Sequence, residues 1–111
     1  MISASVRIFV CREPQDLRRS FDGLALSARQ VLGEEPQSGA LFCFVNKRSN
    51  RLKCLWWDRN GYCLLYKRLH RARFRVPGDA SGTGPSLRID GAQLAHLLAG
   101  VAKEQRQRGR P

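Results

Sequence analysis

Acids are scarce in this chain. Nine aspartates and glutamates stand against twenty lysines and arginines in 111 residues. A metal-dependent strand-transfer site needs two or three carboxylates converging on divalent ions. Only Asp22 and Asp58 fall within well-patterned segments, and each has a plainer role, as a charged helix position and a turn residue. The chain is therefore expected not to be an enzyme. Paired cysteines are missing as well. Cys11, Cys43, Cys54 and Cys63 form no C-x-x-C, and His70 and His96 lie outside any ligand spacing, so structural zinc is not indicated. Four reduced, mostly buried thiols are the simpler reading, and a metal site built from scattered cysteines is the alternative. No Ser-His-Asp constellation or phosphate-cradling Gly-rich loop is visible, and a Cys-His nucleophile has only its residue types in its favour. No cofactor and no small-molecule substrate are expected. Long apolar runs are absent, and none approaches the ~20 residues of a membrane span. The start, MISASVRIFVCREP, has too short an apolar run for a signal peptide and no basic segment ahead of it. The expectation is a cytoplasmic protein with no membrane partner.

What is present is enough for one folded domain. Apolar residues make up 42% of the chain, and a chain of this length can bury a core without staples. Residues 5–10, SVRIFV, alternate as a short strand does. From Asp16 the period changes: Leu17, Phe21, Leu24, Ala28, Val31 and Leu32 recur at spacings of three and four. That predicts a helix from about residue 15 to 32, with Asp16 in its first turn, Gly33 as its stop and Gly23 packed closely onto a sheet. Three β-like runs follow, ALFCFVN, RLKCLWW and YCLLYK, joined by a two-residue loop at Arg48-Ser49 and by DRNG. The second turn is expected to be type I, closed by a left-handed Gly61. The loop lengths set Val45 opposite Leu52, Cys43 opposite Cys54, Trp56 opposite Cys63 and Cys54 opposite Leu65. One sheet face then carries Leu41, Cys43, Val45, Leu52, Cys54 and Trp56, and is expected to receive the helix. The other carries Phe42, Phe44, Lys53, Leu55, Trp57, Tyr62, Leu64 and Tyr66, aromatic with one embedded lysine. Asp90 reads as the N-cap of a second amphipathic helix through Leu94, Leu97, Leu98 and Val101, ending near Gly100.

The expected class is α+β: a small antiparallel sheet packed against an amphipathic helix, plus a C-terminal helix. Residues 1–78 are read as that domain, 79–86 as a Gly/Ser/Pro linker, 87–102 as the C-terminal helix and 103–111 as a basic tail.

Charge is the strongest signal. The net charge of +11 attracts polyanions, and nucleic acid is the commonest one in cytosol. Arginine outnumbers lysine, which favours bidentate phosphate and base contacts. The cations cluster at Arg18 and Arg19, at the hairpin with Lys47, Arg48 and Arg51, at the embedded Lys53, and along Lys67, Arg68, Arg71, Arg73 and Arg75. These are the candidate nucleic-acid-binding residues, with DNA as the expected partner. The plain alternative for any one cluster is a solvated surface. Trp56, Trp57, Tyr62 and Tyr66 can stack on unpaired bases or pack in the core.

Several segments together resemble a known family. VCREPQDLRRSFDGLA matches a D-[ML]-R-[KR]-x-F-D-G-L core through Asp16, Leu17, Arg18, Arg19, Phe21, Asp22, Gly23 and Leu24. SGALFCFVNKRSNRLKCLWWDRNGYCLLYKRLHRARFRVP and SLRIDGAQLAHLLAGV follow in the same order and spacing. The pattern is similar to that of the TnpB-type accessory proteins of the insertion sequence 66 family. The chain departs from it at His70 and Ala72, with Arg71 between, where the family commonly has an acid and a glycine, and at Val76, where it often has Trp. The resemblance implies a small protein encoded beside a separate, larger transposase and assisting transposition. It adds the transposase and another element-encoded accessory protein as partners. Two roles fit: an accessory factor that binds DNA or assembles the complex, and an adaptor that binds only the transposase, through the aromatic sheet face.

Overall fold

A computed structural model describes residues 5–77 and 82–103. The start of the expected linker, 79–81, and the basic tail from 104 lie outside the described residues. The elements are β1 (Ile8–Cys11), α1 (Phe21–Gln30), β2 (Leu41–Val45), β3 (Arg51–Asp58), β4 (Gly61–Arg68), β5 (Ala72–Arg73), β6 (Ser86–Ile89), α2 (Gly91–Ala99) and β7 (Val101–Ala102). The fold is α+β. Its main sheet has the strand order β4-β3-β2-β1-β6, and β5 pairs with β7 in a small second sheet. The β2-β3 and β3-β4 hairpins are antiparallel in the register that the loop lengths predict, with Val45 opposite Leu52, Cys43 opposite Cys54, Cys54 opposite Leu65 and Trp56 opposite Cys63. The sheet as a whole is mixed. β1 runs parallel to β2, because the chain crosses over through α1 between them, and β6 closes the far edge antiparallel to β1.

The helix lies on the face opposite to the one expected. Leu24, Ala25 and Ala28 of α1, with the flanking Leu17 and Leu32, pack on Phe9, Cys11, Phe42, Phe44 and Leu55, with Tyr62 and Leu64 at the margin. The aromatic face is thus one core. The aliphatic face is a second: Ile8, Val10, Leu41, Cys43, Val45, Leu52 and Cys54 meet Phe74, Ile89 and Leu97. The physical reason is that both faces are apolar, so both must be covered. The C-terminal helix and the segment after β4 are available to cover the second. All five residues of β2 are buried, as befits a central strand covered on both sides.

Local chemistry moves several boundaries. The Asp16 carboxylate accepts the Arg18 backbone N–H at 3.0 Å, and the Arg19 N–H donates to the Asp16 carbonyl at 3.3 Å. A local turn therefore replaces the first predicted helical turn, and α1 begins only after Ser20. At its other end α1 stops at Gln30, with Val31 as its C-cap, two residues short of the expected end; Gly33, at φ +70°, turns the chain just beyond it. Gly23 makes room for a side chain rather than for the sheet, since a Cβ there would lie 2.9 Å from Arg19 Cβ. In the β3-β4 turn the left-handed residue is Arg59, at φ 59°, while Gly61 pairs with Asp58 as a strand residue. A positive φ at the first loop position suits a two-residue hairpin. The β2-β3 loop spans Lys47–Asn50 rather than two residues. Asn46 Oδ1 accepts the N–H groups of Asn50 and Arg51, which holds the longer loop without changing the register. α2 opens on a capping box: Asp90 accepts the Gln93 N–H at 2.8 Å and Gln93 Oε1 accepts the Asp90 N–H at 3.0 Å.

Candidate nucleic-acid interface

The β2-β3 loop projects beside the segment that precedes α1. The Gln15 N–H donates to the Val45 carbonyl at 2.9 Å, so residues 15–18 run along the base of the hairpin. Between them lies an open groove of about 790 Å³, lined by Gln15, Asp16, Leu17, Arg18, Asn46, Lys47, Arg48, Arg51, Lys53 and Tyr66. Five of the predicted binding residues, Arg18, Lys47, Arg48, Arg51 and Lys53, thus come from separate parts of the chain onto one concave surface.

Three of these side chains, Arg18, Lys53 and Arg51, are held by definable contacts. Arg18 makes a paired contact with Asp16, from Nε at 3.0 Å and from Nη2 at 2.7 Å. The guanidinium holds the Asp16 carboxyl well below the usual carboxylate range, so this acid stays ionised within the groove. Lys53, although buried, donates from Nζ to the Arg19 carbonyl at 2.7 Å and sits 4.9 Å from the Tyr66 ring centroid. The lysine embedded in an aromatic face is therefore satisfied, with its charge at the groove floor. Arg51 Nη1 donates to the Tyr66 hydroxyl. Lys47 and Arg48 stand exposed at the loop tip.

The other candidates lie elsewhere. The Arg19 guanidinium donates to Ser27 Oγ at 2.8 Å and lies outside the groove lining. Arg68 pairs with Arg51 across the strands and stands exposed beyond the lining. Lys67 points to the aliphatic face, where its Nζ donates to the Leu98 carbonyl at 2.7 Å near the C-terminus of α2, a favourable place for a cation. Arg71, Arg73 and Arg75 are exposed on the segment that returns past the hairpin, anchored by the buried Phe74, whose N–H donates to the Ser49 carbonyl at 2.7 Å. Gln15 and Asn46 are lining residues that the charge pattern does not reveal; the only sequence signal for Asn46 is its place as a turn-forming residue before Lys47.

The groove joins hydrogen-bond donors and positive charge to one exposed aromatic ring, which is chemistry for holding a phosphodiester chain. A sequence model described as IS66 Orf2-like protein matches residues 6–108. The chain belongs to the IS66 Orf2-like family. Two proteins of Sinorhizobium fredii are similar along most of their length. Uncharacterized protein y4hO is 39% identical over 97 residues, covering 87% of this chain and 82% of its own. Uncharacterized protein y4jC is 33% identical over 99 residues, covering 89% and 82%. No solved structure matches. As an IS66 Orf2-like protein, this chain is an insertion-sequence-associated accessory protein. Among its described residues no helix is long and apolar enough to cross a membrane.

Neither Cys11 nor Cys43 has the setting of an activated nucleophile. Cys43 and Cys54 are buried free cysteines with Sγ atoms 3.2 Å apart. Contact with Cys54 and burial push the Cys43 thiol well up, and burial raises that of Cys11. An activated cysteine needs the opposite shift.

Proposed function

We propose that this protein is a non-catalytic accessory factor that binds DNA in the cytoplasm during transposition of its insertion sequence. The groove between residues 15–18 and the Lys47–Asn50 loop takes the sugar-phosphate backbone. The observation that carries this reading is the convergence of Arg18, Lys47, Arg48, Arg51 and Lys53 on one concavity. Phosphate contacts of this kind give affinity and register without sequence readout. The test is a binding titration with random and element-end duplexes at two salt concentrations. Binding that weakens steeply with salt supports the reading, and failure to bind either duplex at low salt defeats it.

A second reading has its own support. β4 is an edge strand of the main sheet, with Leu65 and Tyr66 exposed. Such an edge can accept a strand from another protein. On this reading the protein is an adaptor for the element's transposase and second accessory protein. The buried aromatic face does not serve as the docking surface. Copurification with the transposase, undiminished by nuclease treatment, would favour it.

A further inference from the structure

Tyr66 differs from the other aromatic residues on its sheet face. Phe42 and Phe44 are fully buried beneath α1. Trp57 and Tyr62 are half-buried against each other, with ring centroids 5.0 Å apart in an edge-to-face pair. Tyr66 remains 49% exposed and lines the groove beside Lys47, Arg48 and Arg51. Its ring is held at the hydroxyl, which accepts from Arg51, and over one face, where the Lys53 ammonium lies 4.9 Å from the centroid, so a base would stack on the other face. A tyrosine placed only for packing would be covered, and one placed only to position Arg51 would need its hydroxyl but not an open ring.

We infer that the groove binds unpaired DNA, with a base stacked on Tyr66 and the adjoining phosphates on Lys47, Arg48 and Arg51. This rests on the DNA-binding reading above and narrows it from DNA in general to a single strand or a frayed end. The physical basis is the geometry of the duplex. A paired base shows its edges in the grooves but keeps its faces in the stack, so an exposed ring gains little from intact duplex. An unpaired base offers a face, and stacking on an aromatic side chain is worth about 1–3 kcal/mol per base whatever the sequence. A ring already held by Arg51 and Lys53 loses little freedom when a base settles on it.

The test uses the full chain, a labelled oligothymidine and a covalently closed duplex circle, which has no end to fray, at one low salt concentration. Tyr66→Ala should weaken oligothymidine binding roughly tenfold or more and change duplex binding less than about twofold. Tyr66→Phe, which keeps the ring but not the hydroxyl, should retain most single-strand affinity. On the wild-type protein, photocrosslinking to an oligonucleotide containing 5-iodouracil should map to Tyr66, a readout that does not depend on any variant folding. Equal losses on both DNAs in folded Tyr66→Ala, or a crosslink confined to other residues, would overturn the stacking site while leaving the groove as a DNA-binding site. Preference for oligouridine over oligothymidine would overturn it in favour of RNA. No binding to either DNA would remove the DNA-binding reading and this inference together.

Discussion

Among the described residues Asp16 is the one acid in the groove lining, and its contacts define what it does. Its carboxylate holds the Arg18 guanidinium and also accepts the Arg18 backbone N–H. Half of that work needs a charge and half needs only an acceptor oxygen. Asp16→Asn should keep the turn, because an amide oxygen still accepts from the N–H, while releasing Arg18 toward a phosphate. DNA binding should then strengthen about threefold to tenfold at 50 mM salt, with a salt dependence steeper by about one unit of log-log slope. Weaker binding would mean that Asp16 positions Arg18 for the ligand rather than competing for it. Lowering the pH is no substitute for the mutation. Arg18 depresses the pKa of the Asp16 carboxyl, so the pair is intact above the ordinary carboxylate range and is lost only as pH falls through the depressed value. Both side chains are exposed, so thermal stability should move little either way.

At the level of elements, two glycines of the C-terminal helix separate backbone need from coincidence. Gly100 ends α2 at φ +78°, and a Cβ there would lie 2.6 Å from Leu69 Cδ1 and 3.2 Å from the Arg73 carbonyl oxygen. Gly91 begins the same helix, and a Cβ added there would meet nothing within 4 Å. Gly100→Ala should cost about 2 kcal/mol or more, from backbone strain plus the clash, which lowers the melting temperature by roughly 10 °C in a domain of this size. Gly91→Ala should leave it unchanged or raise it slightly, since Ala is favoured over Gly in a helix by up to ~1 kcal/mol. Thermal melts of the two variants check both. The sequence shows these elements unevenly. Register is legible because loop length and alternation fix it, and Asp90 with Gln93 announces the second helix. The face that takes α1 is not legible, because LFCFV is apolar on both sides and amphipathicity says only that a helix has a buried face. The start of α1 is misleading in the sequence because Leu17 keeps helical spacing while Asp16 closes a competing local turn. The groove is legible as charge but not as shape, since nothing in the sequence places Arg18 beside Lys47.

For the whole molecule the open question is whether its +11 charge acts as a diffuse field or through the groove. Two triple variants remove the same charge from different places. Lys47, Arg48 and Arg51 line the concavity, whereas Arg71, Arg73 and Arg75 stand exposed on the segment that returns past the hairpin. If about six phosphates are neutralised, affinity should fall about a thousandfold between 50 and 200 mM salt. Replacing Lys47, Arg48 and Arg51 with alanine should roughly halve the log-log slope and reduce that fall to about fortyfold. Replacing Arg71, Arg73 and Arg75 should lower affinity at low salt through the long-range field, but this effect should fade as the Debye length shrinks toward about 8 Å at physiological ionic strength. The slope should stay close to that of the wild type. Both sets of substitutions spare the core, because Phe74 keeps its place, Lys47 and Arg48 stand at the exposed loop tip, and Arg51, at the start of β3, belongs to neither core; circular dichroism and melting temperature confirm that each variant is folded before binding is compared. Equal slopes for the two variants would show that charge number alone governs binding. That outcome would take the groove out of the mechanism.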